Sequence, residues 1–223
     1  MKLIRHIKYF FYIGVNWGWK IAAVILPQEI KGEKKYNINT TGADELKKLR
    51  RSGIDISHAT IYMPVSYSLI EKTLEQIDDS NKNHFLDIGC GKGRALCVAA
   101  HFGFNQLTGI DFSEKLCEVA IKNLDNTKLH LPTINFSIVT QDAATVKVPV
   151  DTDCIFLFNP FDEVIMKKVV ENIIKSLEIT PRLLNIIYTN PLHKNLFTEN
   201  NFEEVYHSKT GKYFEVAILS YRY

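Results

Sequence analysis

Asp87, Gly89, Gly91 and Gly93 stand at every second position of the run Phe85-Leu86-Asp87-Ile88-Gly89-Cys90-Gly91-Lys92-Gly93-Arg94. A short apolar strand pattern leads into this run, and a helical pattern over residues 95–100 follows it at once. Glycines at this density let the backbone turn tightly and approach a ligand closely, because no Cβ intervenes. Open α/β sheets bind their ligands at the carboxyl ends of the strands, so the turn predicts a bound ligand there. The spacing narrows the chemistry. A dinucleotide turn of the GxGxxG kind needs glycine where Arg94 stands, and a phosphate loop needs Ser or Thr where Gly93 follows Lys92. Two more acids repeat the placement of Asp87: Asp111 ends an apolar stretch at 107–111, and Asp142 follows another at 134–140. An acid at the tip of the second strand can accept hydrogen bonds from both hydroxyls of a ribose. A fourth stretch, 153–158, is apolar on both faces, as a central parallel strand should be, and ends in Asn159-Pro160-Phe161-Asp162.

The remaining pattern, acid-x-Gly-x-Gly-x-Gly, resembles motif I of the class I S-adenosylmethionine-dependent methyltransferases, most closely over residues 85–161. The resemblance implies S-adenosyl-L-methionine as cofactor, held by Asp87, Gly89, Cys90, Gly91 and Gly93 at the turn. It also implies Asp111 and Phe112 at the second strand, and Asp142 and Ala143 beside the adenine, with the acid taking the exocyclic amino group. Asn159-Pro160-Phe161 looks like a shortened form of the Asn/Asp-Pro-Pro-Tyr/Phe motif of amino-group methyltransferases. There the amide and backbone carbonyls hold an amino group, and the aromatic ring stacks on a planar acceptor. One proline stands where that motif has two, so the correspondence is partial, and a turn in which Asn and Pro serve geometry alone is the competing reading. Asn159, Pro160 and Phe161 are therefore the acceptor-site candidates. Tyr62, with Tyr67 close by, joins them from the segment that often lids the cofactor in this fold, against the plainer reading of two tyrosines packing locally. The implied activity is methyl transfer to nitrogen, with a protein side chain favoured over a nucleobase. The alternatives are transfer to a small molecule or lipid, a non-catalytic S-adenosylmethionine-binding protein, and a nicotinamide-dependent oxidoreductase, which Arg94 disfavours.

These residues need a frame to hold them. Helices are expected at 64–77, 114–124 and 163–177 from their apolar spacing, with Ser113 as an N-cap and Gly103 as a helix stop. Strands at 183–189, 202–207 and 213–221 follow, the last two joined by the turn Lys209-Thr210-Gly211-Lys212. With these elements the resemblance implies the fold class α/β: a three-layer Rossmann-like methyltransferase fold, a mostly parallel seven-stranded sheet with an antiparallel last strand, plus a helical N-terminal extension. The expected division is an extension at 1–59 and a catalytic domain at 60–223.

At 223 residues, 46% hydrophobic and 23% charged, the chain can bury a full core. Its four cysteines form no CxxC pair and no cluster with histidine, so neither a zinc site nor a disulfide framework is expected; the metal prediction is none. The charge is lopsided. Residues 1–53 carry eleven basic and four acidic side chains, against +2 for the whole chain. The apolar, aromatic stretch 9–26 is interrupted by Asn16 and Lys20, which disfavours a membrane span, and no cleavage site marks a secretion signal. Read as a helix, it packs on protein, including a second copy, or lies in a membrane interface. The expected compartment is the cytoplasm, with the inner face of a membrane as a peripheral site. A short helix at 43–51, stopped by Gly53, carries a basic run best read as a solvated face. No long basic stripe signals nucleic acid.

Overall fold

A computed structural model describes residues 2–42, 65–158, 161–210 and 214–222. Seven strands form one sheet in the order β3-β2-β1-β4-β5-β7-β6. They are β1 (His84–Ile88), β2 (Gln106–Asp111), β3 (Asn135–Thr140), β4 (Cys154–Phe158), β5 (Leu184–Thr189), β6 (Phe202–Thr210) and β7 (Phe214–Tyr221). The first five run parallel, and β7 runs antiparallel to β5 and β6. The helices are α1 (Lys2–Trp17), α2 (Trp19–Tyr36), α3 (Tyr67–Leu74), α4 (Arg94–His101), α5 (Glu114–His130), α6 (Glu163–Ile179) and α7 (Asn195–Thr198).

The central strands are apolar on both sides because both sides are covered. Phe85, Phe156 and Ile187 point into one core with α3, α4 and α5, while Leu86, Ile155, Leu157 and Ile186 point into a second core with α6. β3 is an edge strand and largely exposed, so its side chains alternate weakly. α5 runs past the expected end at 124, since Thr127 is buried and its hydroxyl bonds back to the Asn123 carbonyl. Gly103 (φ 101°) ends α4, and Asp162 caps α6 by accepting from the Ile165 N–H. The helices expected at 43–51 and the residues around Tyr62 lie outside the described residues.

The stretch 9–26 is not one helix but the bend of a helical hairpin. Gly18, at φ 102°, breaks the helix there, a conformation an L side chain rarely adopts. The Trp19 ring then folds back over Gly14, where a Cβ would come within 2.2 Å of it. Tyr9, Ile13 and Ala22 bury against one another between α1 and α2. Asn16 and Lys20 therefore fall on different helices.

Candidate functional site

The glycine turn leaves the carboxyl end of β1 and enters α4. Gly89, Gly91 and Gly93 all have positive φ (86°, 53° and 75°). The Gly89 and Cys90 N–H groups both donate to the Ile110 carbonyl, at 2.8 and 2.9 Å, which pins the turn to β2. Gly109 in β2 makes this possible: a Cβ there would lie 2.6 Å from Leu96 and Ile138 and 2.9 Å from Cys90 Sγ. Cys90 is buried and burial holds its thiol well above its usual range, so it serves packing and not nucleophilic chemistry.

Asp87 and Asp111 meet at this turn. Asp111 Oδ2 accepts from Gly91 N–H at 2.8 Å and Oδ1 from Ser113 N–H at 2.9 Å. Burial nonetheless raises its pKa, against the pull of those two donors. Asp111 ends β2 as expected, but it is buried rather than a solvated tip, and it braces the glycine turn. Asp87 is 3% exposed, and its carboxylate accepts no hydrogen bond among the described residues. Burial, and then the neighbouring charge of Asp111, push its carboxyl well above the usual range. A buried carboxyl beside a second buried acid favours a cationic ligand. S-adenosylmethionine, cationic at its sulfonium and at its amino group, suits these two acids, and a turn of bare backbone leaves room for close approach. The residues fit the cofactor.

The other expected residues divide. The β3 end lies against β2, with Gln141 N–H donating to the Asp111 carbonyl at 3.0 Å. Asp142 is exposed there, one oxygen accepting from Ala144 N–H, and Ala143 is buried. Phe112 is half-buried beside Asp111. Phe161 is also half-buried, packed against the core beneath α6. Asn159, Pro160 and Tyr62 lie outside the described residues. Tyr67 is buried. Its hydroxyl meets Thr40 Oγ1 at 2.8 Å, and its ring stacks on Tyr36 and lies where a Gly32 Cβ would be.

In the sequence Arg94 only excludes a dinucleotide turn. In the structure it anchors the N-terminal segment to the site. Its guanidinium forms a two-pronged pair with Glu29 of α2, donates to the Val65 carbonyl at 2.7 Å and to Thr40 Oγ1 at 2.8 Å, and stacks over Tyr67 at 4.1 Å. One turn on, Glu33 Oε1 accepts from the N–H groups of Thr40 and Thr41, and Oε2 meets Arg5 and His6. Burial alone would raise the Glu33 pKa, but the Thr41 hydrogen bonds, Arg5 and His6 hold it below the ordinary value. Asn123 of α5 completes the clasp, donating to the carbonyls of Asn39 and Lys92. Residues 37–42 thus form a strap fastened across the glycine turn. The available signal was that Glu29 and Glu33, four apart on one helix face, are the sole acids in residues 1–42.

Among the described residues no three His, Cys, Asp or Glu side chains group as metal ligands. A family model described as a methyltransferase domain matches residues 79–216. Several solved structures share the fold. StiE O-MT is 14% identical, TM-score 0.55, over 70% of this chain and 74% of that one. The ribosomal protein L11 methylase of Lactobacillus delbrueckii subsp. bulgaricus is 15% identical, TM-score 0.53, over 70% and 77%. The magnesium protoporphyrin IX methyltransferase of Synechocystis, solved with bound SAM, is 17% identical, TM-score 0.52, over 70% and 79%. At such identities these likenesses speak for the fold and not for an acceptor. Comparison with curated proteins finds no match.

Proposed function

This chain belongs to the class I S-adenosylmethionine-dependent methyltransferase family, and from that premise we propose that it methylates a nitrogen acceptor, a protein side chain in preference to a nucleobase. The observation that carries the cofactor half is the pair of buried acids, Asp87 and Asp111, at the ends of β1 and β2 around the glycine turn. Bound S-adenosylmethionine supplies a methyl carbon on a positively charged sulfur, open to in-line attack by a nitrogen lone pair.

The chain's own task is then to orient the acceptor and to exclude water; the methylated nitrogen loses its proton to solvent, and a general base is needed only if the acceptor arrives protonated. Asp111 would receive the ribose hydroxyls while its backbone donors keep it in place, and Asp142 would take the adenine amino group. Asp87 would face the cationic end. What supports nitrogen is the Asn159-Pro160-Phe161 sequence directly after β4, the strand next to β1. An amide and the carbonyls around it can accept two hydrogen bonds from an amino group, which fixes its lone pair toward the methyl carbon.

Labelled S-adenosylmethionine incubated with the protein and fractionated cell extract tests the reading. Label is expected in protein, on nitrogen. Label in lipid or small molecules would replace the acceptor, and cofactor binding without transfer to any fraction would make the chain a binder alone. Asn159→Ala is expected to lower turnover on the order of ten- to a thousandfold while leaving cofactor affinity in place. Equal losses of both would move Asn159 into the cofactor shell.

A further inference from the structure

Helix α1 is apolar on two opposite faces. Tyr9 and Ile13 face α2. Ile4, Ile7, Phe11 and Val15, spaced three and four apart, form a stripe on the far side, with Phe11 56% and Val15 76% exposed. Trp19, 51% exposed, extends the stripe across the hairpin bend, its ring centroid 5.7 Å from those of both Phe10 and Phe11. Half of the large apolar side chains exposed on the described surface lie in residues 4–30. An amphipathic surface helix needs one apolar face; a second asks for a partner.

The charges say which partner. Both acids of the hairpin, Glu29 and Glu33, are buried and turned inward onto Arg94, Arg5, His6 and the strap. Lys8, Lys20, Lys31 and Lys34 are exposed and form no ion pair among the described residues. Every exposed charge on the hairpin is therefore positive. Two copies meeting through this face would bring lysines against lysines, which disfavours a symmetric dimer. No described helix is long and apolar enough to cross a membrane. We propose that the α1–α2 hairpin docks on an anionic bilayer surface, its Ile4–Phe11–Trp19 face in the interface and its lysines against lipid phosphates. Aromatic side chains suit that depth, and lysines extend from it to the headgroups. The Glu29–Arg94 pair joins this hairpin to the first residue of α4, so docking holds the glycine turn at the membrane surface with it.

The proposal does not depend on the methyltransferase reading, and its test uses neither cofactor nor acceptor. Full-length protein is floated with vesicles of equal parts phosphatidylglycerol and phosphatidylcholine, and with phosphatidylcholine alone. Strong binding to the anionic vesicles at low salt is expected, reduced but retained at high salt, because screening removes the charge attraction and leaves the apolar contribution. Lys20→Gln, Lys31→Gln and Lys34→Gln together should lower partition on the order of a hundredfold, from roughly fivefold per lysine. Phe11→Ser with Val15→Ser should abolish the salt-resistant part. All five side chains point outward, so thermal unfolding should match the parent; if the serine variant misfolds, the glutamine variant decides alone. Full-length protein left unbound in the bottom fraction at low salt overturns the proposal. So does a dimer in light scattering that the serine variant dissociates in the absence of vesicle binding.

Discussion

Removing Glu29 should loosen both the fold and the cofactor turn. Glu29 and Arg94 are each 4% exposed at the side chain, and both Glu29 oxygens face the guanidinium. Taking away one partner of a buried pair costs about 3–5 kcal/mol, because the other charge is left uncompensated. In Glu29→Ala the guanidinium keeps Thr40, Val65 and the Tyr67 ring, which places the expected loss near the lower end, about 3–4 kcal/mol. Against a typical total of about 5–15 kcal/mol that is a large fraction, and for a chain of this length it lowers Tm by roughly 6–16 °C. Urea unfolding of the full chain measures it. Arg94→Met should cost as much, since it strands Glu29. Glu29→Ala with Arg94→Met should lose far less than the two singles summed, because no buried charge remains. Calorimetry on Glu29→Ala should show weaker S-adenosylmethionine binding, as the strap no longer holds the turn. A loss below about 1 kcal/mol together with additive single changes would refute the anchor.

Asp87→Asn should stabilise the ligand-free protein at neutral pH and weaken cofactor binding. Its folded pKa lies above the unfolded one, so its contribution is intact below about pH 4 and is lost as pH rises through the folded value; the advantage of the variant over the parent should grow in that direction. Glu33→Gln has the opposite sign. Its folded pKa is lowered, so its contribution is present above the unfolded value and lost as pH falls, and melting curves of variant and parent should converge in acid. Asp111→Ala should weaken S-adenosylmethionine binding by a few kcal/mol, at about 1.5–3 kcal/mol per charge-assisted hydrogen bond. It should also lower Tm, since Gly91 and Ser113 lose their acceptor; unchanged affinity by calorimetry would count against the ribose role.

Residues 85–94 were legible because a strand, a glycine turn and a helix are written in nearest neighbours. The period-2 and period-3.6 patterns in the sequence likewise marked all seven strands and the helices at α5 and α6, since burial on one or both faces dictates them locally. Asp87, Asp111 and Asp142 could be placed at strand ends for the same reason. The sequence by itself determined the seven strands, the glycine turn and the acids at the ends of the first three strands.

It did not determine what those acids experience. Asp111 reads as a surface tip, and it becomes a buried brace once Gly91 and Ser113 fold onto it. Gly18 breaks the N-terminal run because the two halves gain more by packing Tyr9, Ile13 and Ala22 together than one long helix would. Arg94 and Glu29 lie 65 residues apart, and no local pattern couples an arginine after a glycine turn to one acid in a basic segment. A buried ion pair is favourable only when both charges are desolvated at the same place, and that coincidence exists in the tertiary structure alone.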